Sequence, residues 1–178
     1  MLLCLLTGQR CQTIHSINID YIQDIQNGCR IVIQEKLKQT RVGKHLEPIV
    51  LIRYNEDPQL CVIRHLQEYI NRTSGLRTGN KQLFLSFTKP HKPVSKETIS
   101  RWVKTVLKGA GIDTTKYSAH SSRASSTSFC ESKGLNLQEI MKAAGWSRAG
   151  TFAKYYQKET DSTELNFGNF LLKETYRC

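Results

Sequence analysis

The stretch from Ala119 to Tyr156 constrains this chain most, because it sets four chemically distinctive side chains at fixed spacings. His120 and Arg123 stand three residues apart at the start of a predicted helix, so both side chains project from one face. Trp146 follows a glycine, and Tyr155 comes nine residues after Trp146. A His and an Arg on one helix face can hold one anion, and a tyrosine hydroxyl can act as a covalent nucleophile. The stretch therefore predicts a site in which a tyrosine attacks a bound anionic group.

The order of these residues resembles the C-terminal catalytic domain of the tyrosine recombinases, the phage integrase and Cre family. The box of that family runs H-x-x-R, then G-[H/W], then a tyrosine nine residues further on. In this chain the matching positions are His120, Arg123, Gly145, Trp146 and Tyr155. The segments A-G-W-S and T-F-A-K-Y-Y are most similar to the corresponding segments of recombinases from DIRS-type retrotransposons and Crypton-like elements. The resemblance covers residues 2–156 and implies an α+β fold that is mostly helical, with a small antiparallel three-stranded sheet.

The resemblance also implies roles for residues outside the box. T-G-Q-R after an apolar helix is where recombinases place their first catalytic arginine, which gives that role to Arg10. A lysine on a β-hairpin protonates the leaving oxygen in the family, and Lys38 is the match, with Lys36 as the alternative. The catalytic set implied for this chain is Arg10, Lys38, His120, Arg123, Trp146 and Tyr155. Tyr156 is adjacent, so the choice of Tyr155 depends on the nine-residue spacing alone.

The basic hairpin is also a candidate contact for DNA. Lys36, Arg41 and Lys44 lie within ten residues that contain a glycine bend, and we expect them to contact phosphate groups. The alternative is a solvated run of charge. One departure from the family concerns the position three residues after Arg10, where recombinases usually carry an acid and this chain has Thr13. An acid can fix a guanidinium in place, whereas a threonine hydroxyl does so only weakly.

The implied chemistry needs no metal or organic cofactor. Two guanidinium groups can bind the non-bridging oxygens of a phosphodiester and offset the charge that develops on them. Tyr155 attacks the phosphorus, Lys38 supplies a proton to the departing 5′ oxygen, and Trp146 can donate its indole N–H but cannot exchange a proton. By resemblance, the product is a 3′-phosphotyrosine link to DNA that a 5′ hydroxyl later attacks.

The charge of the chain agrees with a nucleic-acid partner. The net charge is +11 and the pI is about 9.5, which predicts a polyanionic partner, most often nucleic acid or an anionic membrane surface. The resemblance implies that this partner is double-stranded DNA. A surplus that serves only solubility is the alternative. Six scattered cysteines without a C-x-x-C pair indicate neither a zinc site nor a disulfide framework and fit a reducing compartment. The short apolar start predicts no membrane span. A eukaryotic mobile element would place the protein in the nucleus, and any other origin in the cytoplasm.

Residue patterns predict several secondary-structure elements. Strands are expected at 17–22, 29–33 and 48–52, with a turn at Asn27-Gly28. Asp57 is expected to cap a helix that ends near Arg72, and Ser95 to cap another that has Trp102 in its core stripe. Residues 83–87 are expected to be a buried extended segment.

Two regions follow from this organisation. Residues 1–158 are predicted to form the catalytic domain, with a truncated start because the apolar residues 2–6 open without a polar cap. Residues 159–178 are predicted to form an amphipathic tail helix, which related recombinases pack on a neighbouring protomer. The resemblance thus implies a DNA-cleaving and rejoining enzyme of a mobile element that self-associates through its tail. The alternative is a decayed or domesticated domain that binds DNA without cutting it. A type IB topoisomerase shares the chemistry but needs a much longer chain.

Overall fold

The computed structural model describes residues 1–35, 46–146, 168 and 171–172. Six α-helices, two short 3-10 helices and one antiparallel sheet make up the regular structure of residues 1–35 and 46–146. The helices are α1 (Leu2–Thr7), α2 (Cys11–His15), α3 (Val62–Thr73), α4 (Lys96–Gly109), α5 (Ala119–Ser132) and α6 (Leu137–Ala144). The strands are β1 (Ile22–Ile25), β2 (Gly28–Ile31) and β3 (Ile49–Ile52). This arrangement confirms the expected α+β class.

The three strands pair in the order β1-β2-β3, and both pairings are antiparallel. Ile25 pairs with Gly28, so the hairpin turn consists of Gln26 and Asn27, and Asn27 takes a φ of 60°. A Cβ atom on Gly28 would lie 2.1 Å from the carbonyl oxygen of Leu51. Glycine is therefore required where β2 approaches β3. Buried residues of the two strands face each other in register and form one side of the core, as in the pairs Cys29–Leu51 and Ile31–Ile49.

The expected strand at 17–22 is wrong in its position. Ile19–Tyr21 form a short 3-10 helix, and β1 begins only at Ile22. The side chain of Asn18 accepts a hydrogen bond from the backbone N–H of Asp20 at 2.9 Å, which turns the chain there. Residues just before this turn pair with a distant segment, through the Leu83 N–H bonded to Ile17 O at 2.8 Å.

The long helices contribute apolar faces to one core. The Ser95 hydroxyl accepts from the backbone N–H of Thr98 at 3.3 Å, so the predicted cap of α4 is confirmed. Trp102 is half-buried beside Phe84 and Phe87, as expected of a core anchor. The buried aliphatic residues that α1, α2, α3 and α4 contribute to this core are Leu3, Leu6, Ile14, Val62, Ile63, Leu66, Ile99, Val103 and Leu107.

The predicted cap of the preceding helix is wrong. Asp57 accepts from the backbone N–H of Gln59 at 2.7 Å and so closes a separate turn, and α3 begins after Cys61. The local chemistry of Asp57-Pro58 favours a turn as readily as a helix start.

The described residues of the C-terminal tail pack against this chain. Leu172 is 5% exposed and belongs to the main core, and Leu171 is partly buried against it. Residues 36–45, where a basic hairpin is expected from the sequence, and residues 147–167, which include Tyr155, lie outside the described part.

Candidate active site

A tight turn between α1 and α2 carries Arg10. α1 ends at Thr7, and Gly8 has a left-handed φ of 59°, a conformation that glycine adopts at little cost. Gln9 follows, and Arg10 is the residue that immediately precedes α2. The turn thus brings Arg10 out of the buried helix α1 and to the edge of the core.

The guanidinium of Arg10 is only partly solvated. Burial lowers the pKa of Arg10 from its ordinary value, because the charged form is less well hydrated. Its Nη1 atom is buried and makes no hydrogen bond to any residue in the described part of the chain. A buried charged donor in this state is stabilised by an anion that accepts a hydrogen bond. These are the properties expected of an anion-binding arginine.

Thr13 does not hold the guanidinium of Arg10 in place, as an acidic side chain at the same position could. Its side chain is fully buried, and its Oγ1 atom makes no hydrogen bond within residues 1–35 or 46–146 or to the three described tail residues. Arg10 therefore has no fixed partner of the kind that recombinases usually provide three residues after it.

Helix α5 presents His120 and Arg123 at its first turns. Its start is fixed by Ser118, whose hydroxyl accepts from the His120 N–H at 3.2 Å and whose N–H donates to Ser121 Oγ at 3.0 Å. This reciprocal arrangement is a capping box. As the three-residue spacing predicts, both side chains lie on one side of the helix, but at different depths. His120 reaches the surface, whereas Arg123 is 2% exposed.

The buried Arg123 is held by backbone carbonyls from two other elements. Its Nη1 donates to Gly8 O at 2.6 Å and to Ala144 O at 2.7 Å. Its guanidinium carbon lies 4.7 Å from the centre of the Trp146 ring, within the range of a cation–π contact. One guanidinium thereby joins α5, the turn beside Arg10 and the C-terminal end of α6. Small side chains on α5, such as Ser122 and Ser126, are buried beside it and bond back to their own helix.

Trp146 is positioned by the way α6 ends. Gly145 has a left-handed φ of 66°, and the backbone N–H of Trp146 donates back to Met141 O at 2.9 Å. Helices often end with a glycine in this conformation. The indole packs against a small cluster formed by Cys130, Leu135 and Ile140. The Gly-Trp pair of the sequence motif is thus the C-terminal cap that sets the ring over Arg123.

The electrostatics of His120 connect it to both arginines. Its pKa is lowered, first by partial burial and then by the positive charges of Arg123 and Arg10. Like charges nearby disfavour the protonated imidazole, so His120 is predominantly neutral at pH 7. A neutral imidazole can donate a hydrogen bond from one nitrogen and accept one at the other. An anion bound between the three groups would raise this pKa again.

Four of the six expected catalytic residues therefore come together in the structure: Arg10, His120, Arg123 and Trp146. Lys38 and Tyr155 lie outside the described residues, as do the expected DNA contacts Lys36, Arg41 and Lys44. Gln9 was not predicted as a site residue, although it binds α6 directly through Nε2 and Ala143 O at 2.6 Å. Nothing in the sequence pattern distinguishes it, because it lies in a short turn without periodicity.

Other features of the described residues lie apart from this site. A cavity of about 390 Å³ is lined by apolar residues of α1, α3 and α4, including Leu2, Tyr69 and Trp102, and contains none of the four residues above. No three His, Cys, Asp or Glu side chains of the described ranges are grouped so that they could hold a metal ion. Within those same ranges, no helix is long and apolar enough to cross a membrane.

The chain belongs to the phage integrase family, whose sequence profile matches residues 1–162. No curated protein matches it. Among solved structures it is similar to XerA recombinase, with a TM-score of 0.64 and 19% identity over 98% of this chain and 54% of that one. It is also similar to XerH site-specific recombinase bound to difH substrate, with a TM-score of 0.68 and 18% identity over 89% of this chain and 42% of that one.

A third similar structure is the Tn1549 transposon integrase in complex with circular intermediate DNA. The TM-score is 0.58 and the identity 16%, over 89% of this chain and 52% of that one. These likenesses show that the fold is that of a tyrosine recombinase catalytic domain. The chain spans about half the length of the solved recombinases that it matches.

Proposed function

We propose that this chain is the catalytic part of a tyrosine recombinase, which cleaves and rejoins duplex DNA through a 3′-phosphotyrosine intermediate. The observation that carries the proposal is the convergence of Arg10, His120 and Arg123, in which both guanidinium charges lower the pKa of the imidazole. Gathering these groups without an anion is costly, because both guanidinium charges disfavour the protonated imidazole between them. A phosphodiester would offset that cost.

Each of the four candidate catalytic residues that the structure describes has a role in this reaction. Arg10 presents a buried donor to a non-bridging oxygen, and Arg123 adds a second fixed positive charge close to it. These charges stabilise the transition state more than the substrate, because negative charge builds on the oxygens as the tyrosine attacks. Neutral His120 can donate to the same phosphate. Trp146 excludes water from one side of Arg123 and fixes its plane.

Two further roles belong to residues outside the described part. Tyr155 attacks the phosphorus, forming the O–P bond to tyrosine as the bond to the 5′ oxygen breaks, and Lys38 gives that oxygen its proton. Lys36, Arg41 and Lys44 contact DNA phosphates without reading sequence. The net charge of +11 supports a duplex partner. The family membership of residues 1–162 supports the reaction class.

We also propose an origin and an assembly for the protein. The A-G-W-S and T-F-A-K-Y-Y wording supports a DIRS-type or Crypton-like mobile element, and hence a nuclear location in a eukaryotic host. Residues 1–158 would act as the catalytic domain and 159–178 as a tail that mediates self-association on DNA. The apolar residues of that tail support the idea, although the two leucines described there pack against their own chain. Sedimentation with and without duplex DNA would test it, because a monomer in both conditions contradicts self-association.

The experiment that tests the proposed reaction is trapping of the covalent intermediate. A nicked duplex that carries the termini of the parent element loses its short 5′-hydroxyl fragment after cleavage, so the intermediate cannot be rejoined. We expect a denaturation-resistant protein–DNA adduct that retains a label on the fragment lying 5′ of the break, because the 3′ phosphate of that fragment is joined to the tyrosine. An adduct on the fragment that lies 3′ of the break, or an amount unchanged by Arg10→Ala, would contradict the mechanism.

A second candidate function is DNA binding without cleavage, as in a decayed or domesticated domain. The observation that favours it is Thr13, which makes no hydrogen bond where recombinases usually place an acid. Duplex binding with no adduct, even after Thr13→Glu, would support this alternative.

A further inference from the structure

Gln9 is a polar side chain placed in an apolar interior. It is 3% exposed, and burying an amide is unfavourable unless the amide is hydrogen-bonded. Its Nε2 donates to Ala143 O at 2.6 Å, and its backbone N–H donates to Thr7 Oγ1 at 3.1 Å. The first bond crosses from the turn beside Arg10 to the last turn of α6. The contact with Ala143 thus satisfies the NH₂ group of the amide, whereas its Oε1 is buried without a hydrogen-bond partner among the described residues.

That contact completes the C-terminal end of α6. The last four carbonyl groups of an α-helix have no partner within the helix. In α6 all four accept a hydrogen bond, two from the backbone that follows and two from side chains of other elements. The four bonds are Trp146 N to Met141 O, Gly145 N to Lys142 O, Gln9 Nε2 to Ala143 O and Arg123 Nη1 to Ala144 O.

The two side-chain bonds tie α6 to the same turn. Arg123 also donates to Gly8 O at 2.6 Å, so Gln9 and Arg123 together connect the turn at 8–10 with the end of α6. The chain leaves α6 through Gly145 and Trp146 and then continues towards Tyr155. The place where α6 ends is thus fixed relative to the turn that carries Arg10.

We propose that Gln9 is a positioning residue for the recombinase reaction. By donating to Ala143 O, it holds the end of α6, and with it Trp146, at a set place relative to Arg10. The catalytic consequence rests on the proposed function, whereas the placement of Trp146 does not. A displacement of about 1 Å at a reacting group can slow a reaction about 10²-fold. Because the Gln9 side chain binds α6, it affects the rate of cleavage and leaves the affinity for DNA unchanged.

The placement is tested by the fluorescence of Trp146. The chain has two tryptophans, so Trp146 is the only one in a Trp102→Phe background. Two substitutions in that background remove the donor: Gln9→Leu, which keeps the volume, and Gln9→Glu, which keeps the length and cannot donate in its ionised form. Gln67→Leu is the matched control, because Gln67 is exposed on α3.

We expect quenching of Trp146 by acrylamide to rise roughly twofold in both Gln9 variants, because the end of α6 opens more often. It should not change in the Gln67 variant. Far-UV circular dichroism shows whether each variant is folded. If Gln9→Leu does not fold, Gln9→Glu carries the test. Equal quenching in the Gln9 and Gln67 variants would overturn the proposal. Unfolding of both Gln9 variants would also overturn it, because Gln9 would then serve the fold alone.

The proposed effect of Gln9 on the rate of cleavage is tested by single-turnover cleavage of the nicked duplex. We expect Gln9→Leu and Gln9→Glu to cleave about 10- to 100-fold more slowly than Gln67→Leu, with Kd for duplex DNA unchanged within about twofold. A rate that falls only with the folded fraction, or a rise in Kd of the same size, would contradict positioning. If the unsubstituted chain forms no adduct, the proposed reaction fails, while the fluorescence comparison still decides whether Gln9 places Trp146.

Discussion

The guanidinium carbon of Arg123 lies 4.7 Å from the centre of the Trp146 ring. Both residues belong to the recombinase box, and the contact shows how its separate parts depend on each other. Arg123 is held by carbonyls beside Arg10 and at the end of α6, and the same end of α6 directs Trp146 towards it. The site is therefore one packed unit in which the binding groups also stabilise the fold.

This dual role predicts a stability effect for Arg123→Lys. A lysine nitrogen lies closer to the backbone and has no planar face, whereas the guanidinium packs on Trp146 while its Nη1 donates to Gly8 O and Ala144 O. Leaving a buried carbonyl unpaired and losing the ring contact should lower the free energy of unfolding by about 2–4 kcal/mol. Urea denaturation measures this. Arg72→Lys is the control, because its ion pair with Glu68 is exposed and should contribute less than about 1 kcal/mol.

The site should also be visible in the titration of His120. Its pKa is lowered by burial, Arg123 and Arg10, so Arg10→Gln should raise it towards the usual value of about 6.5. An NMR titration of the imidazole ring measures both values. If Arg10→Gln left the pKa unchanged, the two side chains would not share a site.

The same shift has a consequence for stability. The unfolded chain binds a proton at His120 more readily than the folded protein does. This difference destabilises the fold as the pH falls from about 6.5 through the lowered pKa, and it grows no further at lower pH. Above about pH 6.5 it has no effect. In the Arg10→Gln variant the loss of stability across this window should be smaller.

The secondary-structure elements predicted from the sequence agree with the structure where contacts between residues close in sequence determine the backbone conformation. Ser95 caps α4, as its hydroxyl and the apolar spacing after it indicate. The segment at 17–22 differs, because Ile17 bonds with Leu83, far along the chain, and Asn18 turns the backbone. The alternation of apolar and polar residues at 17–22 gives no information about this pairing with a distant segment.

In the candidate site, too, the sequence predicts what local spacing determines and misses what tertiary packing determines. The spacing of His120 and Arg123 correctly indicates a shared helix side. It does not indicate that Arg123 is 2% exposed or that it binds the end of α6, because those contacts come from tertiary packing. Gln9 was missed for the same reason, since its partner Ala143 is distant in sequence.

The hairpin arginine and lysines should act on binding more than on cleavage. Replacing Lys36, Arg41 and Lys44 together with alanine should weaken binding to any duplex and reduce the slope of log K against log salt by up to about 2.7, since each phosphate contact contributes about 0.9. Titrations at several salt concentrations measure the slope. Arg10→Ala is the matched comparison, and should change the slope little while slowing cleavage by about 10²–10³. An unchanged slope in the triple variant would exclude the hairpin as a phosphate contact.

The most direct test of the account is which tyrosine becomes joined to DNA. With the nicked substrate that carries the parent element's termini, Tyr155→Phe should abolish the covalent adduct, because phenylalanine lacks the attacking oxygen. Tyr156→Phe should form it at a rate close to that of the unsubstituted chain, and peptide mapping of that adduct should find the nucleotide on Tyr155. An adduct that survives in Tyr155→Phe and disappears in Tyr156→Phe would contradict the assignment.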